Sequence, residues 1–371
     1  MIKAGLEDVV AGTSSICDVN GKDGILVYQG YNIHDLAQNS NFEEVIYLLW
    51  FGKLPNKSEY ATFCKALQKH RSLNEHVINF MKSCPKDANP MDMLRTCVSV
   101  LALYDAEAQN SDREANINKA IRVTAQIPTI IAYFNCIRNN KPLLPPKEDG
   151  SMAANFLYML NGVNPDDLST KSLDIALILH ADHELNASTF AARVASATLT
   201  DLYSSVVAAI GTLKGPLHGG ANQEVIKTLI EIGDISKVDA FIKDLFANHK
   251  KIMGFGHRVY KTEDPRAHHL RQMSKDLGIK LGQSKWYEMS RAIEEDVLKE
   301  KGLYPNVDFY SASVYYMLGI PIDLYTPIFA MSRISGWSAH ILEQYANNRL
   351  IRPRAEYTGP KNLKYTTIDN R

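Results

Sequence analysis

The chain lacks an excess of charge of either sign, because its 371 residues include 41 Lys or Arg and 41 Asp or Glu. Proteins that bind nucleic acid or an anionic membrane normally carry an excess of positive charge. The balanced composition of this chain excludes such an overall positive field. Local groups of arginines are therefore interpreted as specific sites. The composition, 45% hydrophobic and 22% charged, is that of a globular chain with a sizeable core.

The chain is also poor in cysteine and in long apolar runs. Residues 1–8 contain acids where a signal peptide needs apolar residues. We identify no stretch approaching the roughly 20 apolar residues that cross a bilayer. These absences predict a cytoplasmic protein in a reducing compartment. The cysteines show no Cys-x-x-Cys spacing and predict neither a disulfide framework nor a zinc site: Cys17, Cys64, Cys84, Cys97 and Cys136.

Helical periodicity dominates the chain after about residue 40. Before it, residues 24–31 predict a small strand or hairpin. Beyond it, Phe42, Val45 and Leu49 recur on one helix face, with Asn41 as the N-cap. Two helices are predicted between 190 and 213. The other helices of this mostly α-helical fold are predicted at about 57–70, 91–104, 114–137, 153–160, 169–183, 222–232, 237–249, 266–277, 287–301 and 325–345.

The sequence also predicts a proline effect in one of these helices and the N-cap of another. Pro128 is expected to kink or split the helix over 114–137, because proline removes a backbone donor. Ser169 or Thr170 is expected to cap the helix over 169–183.

Glycine and proline concentrate in three loops, at 211–220, 254–265 and 302–305. Such residues mark turns and hinges between regular elements. Their distribution predicts a second, smaller helical domain inserted near 220–320 and hinged to the rest.

Two glycine-flanked histidines are candidates for chemistry. His218 lies in Lys-Gly-Pro-Leu-His-Gly-Gly-Ala-Asn over 214–222, and His257 lies in Gly-Phe-Gly-His-Arg-Val-Tyr-Lys over 254–261. Histidines that serve packing are normally surrounded by apolar side chains, whereas glycine lets the backbone approach a bound group closely. His218 also precedes a helix predicted to begin near Gly220. A helix N-terminus disfavours imidazolium, so we expect a neutral donor there.

One acid and three arginines join the two histidines as candidate site residues, and together they suit one type of reaction. Asp308 lies between apolar neighbours, which are expected to raise the pKa of its carboxyl and make it a proton acceptor. Arg266, Arg333 and Arg352 are candidates for bidentate carboxylate binding. The set predicts proton abstraction next to a carbonyl of an anionic substrate. Taken singly, Asp308 also fits a buried structural acid, and each arginine a surface ion pair.

His180 and His183 offer a different interpretation, because two histidines three residues apart at a helix end could share a face. The spacing is not His-Glu-x-x-His and no third ligand is evident, so we predict no metal. We expect His183 to donate to a substrate carboxylate or carbonyl. Signals for phosphate are weak: the glycines of 254–256 stand beside Arg258 and Lys261, without a dinucleotide or P-loop motif.

At these motifs the sequence closely resembles the citrate synthase family. The shared segments are Gly-Pro-Leu-His-Gly-Gly-Ala-Asn, Gly-Phe-Gly-His-Arg-Val-Tyr-Lys with Asp-Pro-Arg, and Asn-Val-Asp-Phe-Tyr-Ser, within a match from Gly5 to Gly359. The resemblance implies an all-α homodimer whose two domains close over substrate. The large domain, with the dimer interface, would comprise 1–219 and 321–371, and the small domain 220–320. The implied enzyme condenses acetyl-CoA with oxaloacetate, hydrolyses citryl-CoA and holds no permanent cofactor.

The resemblance also implies a role for each candidate residue. Asp308 would remove a methyl proton from acetyl-CoA while His218 hydrogen-bonds the thioester oxygen. His257 would polarise the oxaloacetate ketone and protonate the new alkoxide. Oxaloacetate contacts are expected from His183, Arg266, Phe329 and Arg333, and across the dimer from Arg352. Contacts with coenzyme A are expected from Gly254, Phe255, Gly256, Arg258, Lys261 and Asn306.

Two departures from the family pattern bear on these expectations. Lys261 stands where animal members carry an arginine for the coenzyme A phosphates, although a lysine still suits phosphate as a point charge. The chain starts directly in the catalytic fold, without the amino-terminal β-domain of hexameric relatives that NADH inhibits. We therefore expect a simple dimer without that regulation.

Three alternative functions are retained. 2-Methylcitrate synthase uses propionyl-CoA with the same motifs, and one methylene is worth only about 1–3 kcal/mol of discrimination. The segments 325–327 and 343–345 resemble bacterial citrate synthases more. A non-catalytic sensor of coenzyme A or carboxylates would have no need of the proton acceptor Asp308. A metallohydrolase built on His180 and His183 would bind zinc.

Overall fold

Sixteen α-helices and one three-stranded sheet form the computed structural model, which describes residues 3–6 and 9–371. The acids that argue against a signal peptide, Glu7 and Asp8, lie outside the described residues. The sheet is antiparallel, with β1 (Cys17–Asn20) paired to β2 (Ile25–Tyr28) and β2 to β3 (Tyr31–Asn32). The predicted all-α fold with a short β segment near the N-terminus is confirmed.

Polar caps explain most helix boundaries. In eleven of the sixteen helices an Asn, Asp or Ser at the N-cap accepts a backbone N–H of the first turn, and Asn41 does so as predicted. In chain order the helices are α1 (Ile33–Asn39), α2 (Phe42–Phe51), α3 (Lys57–Lys69), α4 (Glu75–Ser83), α5 (Pro90–Leu103), α6 (Arg113–Arg138), α7 (Met152–Asn161), α8 (Asp167–His180), α9 (Ala187–Ser196), α10 (Leu202–Leu213), α11 (Ala221–Ile232), α12 (Val238–Ala247), α13 (Pro265–Lys280), α14 (Lys285–Lys301), α15 (Val307–Met317) and α16 (Tyr325–Ala346).

Helix α16 is the element around which the larger part of the chain packs. It contacts α2, α5, α6, α8, α9 and α10, and its residues 325–341 are all buried. A Cβ on Gly336 would lie 2.4 Å from the Ala181 carbonyl oxygen and from Asp182 Oδ1, so only glycine allows α16 this close to the end of α8. This approach brings Arg333 beside the turn that carries His183.

Helix α6 bears on two expectations. It runs as a single helix from Arg113 to Arg138 with Pro128 inside, so of the expected kink or split the split does not occur. At 26 residues it is also long and apolar enough to cross a membrane, which the sequence survey overlooked. The apolar window of α6 is 78% buried inside the protein, where the helix packs against α5, α7 and α16. The apolar run is therefore accounted for by the core.

Helix α8 begins and ends earlier than predicted. Its N-cap is Asp166, whose Oδ1 accepts the Ser169 amide at 2.9 Å, so the assignment of the cap to Ser169 or Thr170 was wrong. The helix ends at His180, and His183 lies in the following turn. That turn is held by Tyr28, whose hydroxyl donates to the Asp182 carbonyl at 2.9 Å.

Helix α15 was not predicted. Its sequence, Val-Asp-Phe-Tyr-Ser-Ala-Ser-Val-Tyr-Tyr-Met, is rich in β-branched and aromatic residues that favour strands. Nine of its eleven residues are buried against α8, α11, α13 and α14. Asn306 caps its first turn by accepting the Asp308 amide at 3.0 Å. Tertiary burial and the cap together override the local preference.

Two buried carboxyl groups meet between α2 and α8. Glu43 accepts the Met152 amide at 2.6 Å, and Asp174 accepts the Phe42 amide at 3.2 Å. Burial, with the neighbouring charge of Glu43, raises the pKa of Asp174 to about 8, and burial also raises the pKa of Glu43. The folded protein therefore holds a proton here that the unfolded chain releases.

Replacing Asp174 by asparagine should stabilise the protein at alkaline pH. The amide side chain would keep an oxygen for the Phe42 N–H but would carry no charge. Because the folded-state pKa of Asp174 is raised, the parent loses stability as the pH rises from about 4 to about 8, and Asp174→Asn should remove about 1–3 kcal/mol of that loss. Urea unfolding of both proteins at pH 5, 6, 7 and 8 measures the difference.

Asp167→Asn, an exposed acid in the first turn of the same helix, serves as the control. Its effect should stay within about 0.5 kcal/mol at every pH. A difference between Asp174→Asn and the parent that is flat across this pH range would contradict the proposed protonation.

Candidate active site

Several loops, helix starts and the interior of α16 converge on one region. The His183 ring lies 5.2 Å from the His257 ring, and the His218 ring lies 6.5 Å from the Phe329 ring. The Arg333 guanidinium stacks over Phe329 with its carbon 4.6 Å from the ring centroid. The structure thus brings together residues that are separated by up to 150 positions in the sequence.

His218 is held as a neutral N–H donor. Its Nε2 accepts the backbone N–H of Ser188 at 3.2 Å and lies 2.8 Å from Ser188 Oγ, which accepts from Trp337 Nε1 at 3.1 Å. Because Nε2 accepts a backbone donor, the proton of the neutral ring is on Nδ1. Burial, followed by the charge of Arg333, lowers the pKa of His218 to about 4. The expected neutrality therefore comes mainly from burial, where the sequence interpretation had named the helix N-terminus.

His257 shows the opposite tautomer. Its Nδ1 accepts the backbone N–H groups of Val259 at 3.0 Å and Tyr260 at 3.1 Å, which leaves the ring proton on Nε2. Burial, followed by the charge of Arg266, lowers the pKa of His257 to about 4. The half-buried ring is therefore a second neutral donor.

His183 is the third imidazole of the site. Its Nε2 lies 3.2 Å from the hydroxyl of Tyr260, whose ring also packs on His257 with centroids 4.8 Å apart. Burial holds the pKa of His183 well below its usual value, and the charge of Arg266 adds to the effect. Sequence reasoning missed Tyr260, although it lies three residues after His257 in the motif.

Arg266 is fixed by a buried ion pair with Asp264. Its Nε donates to Asp264 Oδ1 at 2.9 Å and its Nη2 to Oδ2 at 2.7 Å, and both side chains are at most 3% exposed. Asp264 Oδ2 also accepts the Val307 amide at 3.2 Å. One carboxylate therefore joins the start of α13 to the start of α15. Sequence reasoning missed Asp264, yet an acid before Pro-Arg at a helix start is a recognisable N-cap.

Arg333 is buried, but only one of its guanidinium nitrogens forms a hydrogen bond with a described residue. Its Nε donates to the His180 carbonyl at 2.6 Å. Within the described part of the chain, neither Nη1 nor Nη2 has a hydrogen-bond partner, although the side chain is only 1% exposed. A guanidinium with two free, parallel N–H groups in a cleft is arranged to bind a carboxylate.

Asp308 is the second residue of α15. Its Oδ1 is buried without a hydrogen-bond partner among the described residues, while Oδ2 is accessible. Burial raises the pKa of Asp308 to about 6, with Arg266 opposing the rise. The direction predicted from its apolar neighbours is confirmed. At neutral pH the group is a carboxylate that gains a proton readily.

Asn306 ties the glycine loop to α15. Its backbone N–H donates to the Gly254 carbonyl at 2.9 Å, and its Nδ2 donates to the Gly256 carbonyl at 3.0 Å. Gly254 has φ +81°, and a Cβ there would lie 2.8 Å from Val225, so the loop needs glycine at this position. Phe255 is buried, whereas Arg258 and Lys261 are exposed. Both basic side chains are therefore available to a ligand in solution.

Arg352 is the one candidate that the structure does not bring to this region. It is exposed in the irregular segment after α16 and makes no hydrogen bond or ion pair with the described residues. The His180 ring is bonded within its own helix, where Nδ1 donates to the Ala176 carbonyl at 2.7 Å, and it packs on Phe329 with the ring centroids 4.9 Å apart. Over residues 3–6 and 9–371 no group of three His, Cys, Asp or Glu side chains is arranged to hold a metal ion.

The arrangement suits one kind of chemistry. Neutral N–H donors polarise a carbonyl or stabilise an enol without carrying a charge. The accessible oxygen of Asp308 can take a proton from carbon. The guanidinium groups of Arg266 and Arg333 attract an anionic substrate.

The chain matches the family model "Citrate synthase, C-terminal domain" over residues 5–354. It is 55% identical to citrate synthase 2 of Bacillus subtilis, covering 99% of this chain and 98% of that protein. It is 51% identical to the citrate synthase of Haloferax volcanii, covering 100% and 99%. Identity to 2-methylcitrate synthase 2 of Corynebacterium glutamicum is 38%, covering 100% and 98%.

Solved structures are similar over the same length. The crystal structure of citrate synthase from Pyrobaculum aerophilum matches with a TM-score of 0.93 and 42% identity, covering 98% of this chain and 94% of that one. The ternary complex of carboxymethyl coenzyme A and oxaloacetate with citrate synthase from Thermoplasma acidophilum matches with a TM-score of 0.93 and 36% identity, covering 100% and 99%.

Replacing Asp264 by asparagine should destabilise the protein strongly. The amide side chain would still cap α13, but the Arg266 charge would stay buried without its counter-charge. Breaking a buried pair in this way costs about 3–5 kcal/mol. Asp201→Asn, at the partly exposed N-cap of α10, is the matched control and should cost no more than about 1 kcal/mol. Chemical unfolding that gives equal losses for the two variants would refute a structural role for the ion pair.

Proposed function

The chain belongs to the citrate synthase family, and from this membership we propose how its residues join acetyl-CoA to oxaloacetate. The activity is that of an acyl-transferring enzyme with these two substrates. The observation that carries the assignment of roles is Asp308, a carboxylate with a raised pKa and one accessible oxygen, in a cleft lined by neutral N–H donors. A binding protein has no need of that combination.

The first step activates the acyl-CoA. Asp308 takes a proton from the methyl carbon next to the thioester, and the C–H electron pair moves to the thioester oxygen. The Nδ1–H of His218 donates to this oxygen as its charge grows. Ser188 supports the step by holding Nε2 unprotonated, so that the donor tautomer is the only one available. One such preorganised donor is worth about a hundred- to a thousand-fold in rate.

The second step forms the carbon–carbon bond. As the thioester carbonyl re-forms, the enolate carbon attacks the oxaloacetate ketone, the ketone π pair moves to oxygen, and the Nε2–H of His257 donates its proton to that alkoxide. The proton that Asp308 took from the methyl carbon balances this transfer when the ring and the carboxylate return to their starting states. His183, Arg266 and Arg333 bind the oxaloacetate carboxylates, with Phe329 lining the pocket. The free Nη1 and Nη2 of Arg333 support this assignment.

The citryl-CoA formed is then hydrolysed to citrate and coenzyme A. We propose that the small domain, residues 220–320, closes on the large domain, residues 1–219 and 321–371, to exclude water before condensation. Helices α11 to α15 pack mainly on one another, and the site draws His218 and Arg333 from one part and His257 and Asp308 from the other. This division supports closure over substrate.

Coenzyme A is a co-substrate in this proposal, with no permanently bound cofactor. The backbone of Gly254, Phe255 and Gly256 would approach it, and the exposed cations of Arg258 and Lys261 would bind its phosphates. Asn306, which uses both polar atoms of its side chain within the protein, would act by shaping this loop.

We propose a cytoplasmic homodimer in which Arg352 enters the neighbouring subunit's site. The exposure of Arg352 and its lack of a described partner in its own chain support this placement. A carboxylate of oxaloacetate would be its ligand.

The second candidate is 2-methylcitrate synthesis from propionyl-CoA. The full-length similarity to a 2-methylcitrate synthase favours it, but identity to citrate synthases is higher. Release of thiol from acetyl-CoA and propionyl-CoA, each with oxaloacetate, separates the two. We expect a clear preference for acetyl-CoA; equal or faster turnover of propionyl-CoA would move the chain to the second candidate.

Replacing Asp308 by asparagine should lower the turnover number about a hundred- to ten-thousand-fold while oxaloacetate binding persists. In the parent, kcat/KM should fall as the pH drops through about 6, because protonation of Asp308 removes the proton acceptor. Thiol release between pH 5 and 8, with oxaloacetate binding measured by calorimetry, tests both statements. Unchanged turnover in Asp308→Asn would disprove the role of the carboxylate.

Mixing two inactive variants tests the placement of Arg352. In a heterodimer of Asp308→Asn and Arg352→Ala subunits, one site combines an intact Asp308 with the intact Arg352 of its neighbour. Random reassembly should therefore restore about one quarter of the parental activity, since half of the dimers are mixed and each has one complete site. If Arg352 served its own subunit, no site would be complete and activity would stay at the level of the two variants alone.

A further inference from the structure

Two asparagines flank the junction between the glycine loop and α15, and they differ sharply in bonding. Asn306 uses both polar atoms of its side chain, as described above. Asn222 uses neither: it is 0% exposed, and its Oδ1 and Nδ2 are both buried without a partner among the described residues. An unsatisfied buried polar group costs about 1–3 kcal/mol and is rare in native proteins. Such a cost calls for an explanation beyond packing.

The position of Asn222 places it against the catalytic elements. It lies four residues after His218 and belongs to the buried face of α11, together with Val225 and Leu229. Val225 Cγ2 lies 2.8 Å, and a Phe309 ring carbon 2.9 Å, from the point where a Cβ on Gly254 would stand. Helix α11, the glycine loop and the first turn of α15 therefore meet at one point. Asn222 is one helical turn from this point, towards His218.

Asp308 lies beside this junction in the first turn of α15, the helix that packs on α11. Its buried Oδ1 is an acceptor without a donor in the described part of the chain, and the buried Nδ2 of Asn222 is a donor without an acceptor there. The accessible Oδ2 of Asp308 is left to face the substrate. The two unpartnered groups are chemically complementary and lie on helices that pack together.

We propose that Asn222 is a positioning residue that donates its Nδ2–H to Asp308 Oδ1 when both substrates are bound. This bond would hold the carboxylate in one rotamer, with Oδ2 aimed at the acyl carbon that loses its proton. The inference rests on the proposed function, since it concerns the base of that reaction. The unsatisfied amide is then the cost of keeping a donor ready for the closed state.

The charged and titratable groups around Asp308 are limited. Arg266 and Asp264 face it from α13, Arg333 faces it from α16, and Tyr315 lies on its own helix. Helix α14 contributes Glu294, which is bonded to Tyr310, and α8 contributes the neutral His180. The acids of α11, Glu224 and Glu231, are exposed on its other face. In the proposed arrangement a new charge at position 222 would act directly on Asp308.

Replacing Asn222 by leucine tests the proposal first, because leucine has a similar branched shape and no polar atoms. If the amide positions Asp308, Asn222→Leu should lose at least about ten-fold in kcat, while its stability rises or stays unchanged because two unsatisfied atoms are gone. Affinity for oxaloacetate should stay at the parental level. Parental kcat in a folded Asn222→Leu protein would overturn the proposal.

Asn222→Asp provides a second test that does not depend on how well leucine packs. It keeps the shape but replaces the donor by a second carboxylate, so the acid limb of kcat/KM should move up by about one pH unit or more. A limb that stays at the parental pH would overturn the link to Asp308, whatever the change in rate.

Asn155→Leu is the matched control. Asn155 is also buried, but its Oδ1 accepts the Lys147 amide at 2.8 Å, so this variant should lose stability and keep the parental pH profile. The parent is assayed beside all variants with acetyl-CoA and propionyl-CoA. A parent that turns over neither substrate would show the proposed function to be wrong. An active parent whose variants at position 222 keep its kcat and pH profile would refute the role of Asn222 alone.

Discussion

The buried contact between Asp264 and Arg266 is the interaction on which the rest of the site depends. Asp264 caps α13, binds the guanidinium through both oxygens and accepts the first amide of α15. A single carboxylate thereby sets the direction of the arginine that we propose binds substrate, and the place where the helix of Asp308 begins. Because both charges are out of water, neither side chain can be lost without leaving the other uncompensated.

Removal of water also selects the protonation states. Burial makes a cation harder to form on an imidazole and an anion harder to form on a carboxyl, so it reverses the usual order: the pKa of His218 falls to about 4 and that of Asp308 rises to about 6. Arg266 and Arg333 act on both kinds of group, since their charges lower the pKa values of the histidines and limit the rise at Asp308. The groups suited to bind carboxylates therefore also adjust the acid–base balance of the cleft.

The sequence predicted features that are local and missed those that arise only from long-range contacts. Glycine-flanked His218 and His257, and Asp308 between apolar neighbours, are recognisable from adjacent residues, and the helices follow from their periodicity. Ser188 lies 30 residues before His218, so nothing near either residue indicates that one sets the tautomer of the other. Helix α15 was missed because burial reverses a local preference for strand. The proposed domain limits and the proposed dimer involve motions and a second chain, which local sequence patterns do not describe.

The apolar helix α6 has a consequence for synthesis of the chain. It is complete when residue 138 leaves the ribosome, but α16, which covers one of its sides, is complete only after roughly 200 more residues. At about 5–20 residues per second, a helix apolar enough to enter a membrane waits about 10–40 s for that partner. During this interval α6 has other partners to pack against: α3, α4 and α5 are made before it, and α7 and α10 follow it before α16. Early docking of these helices would keep its apolar surface covered.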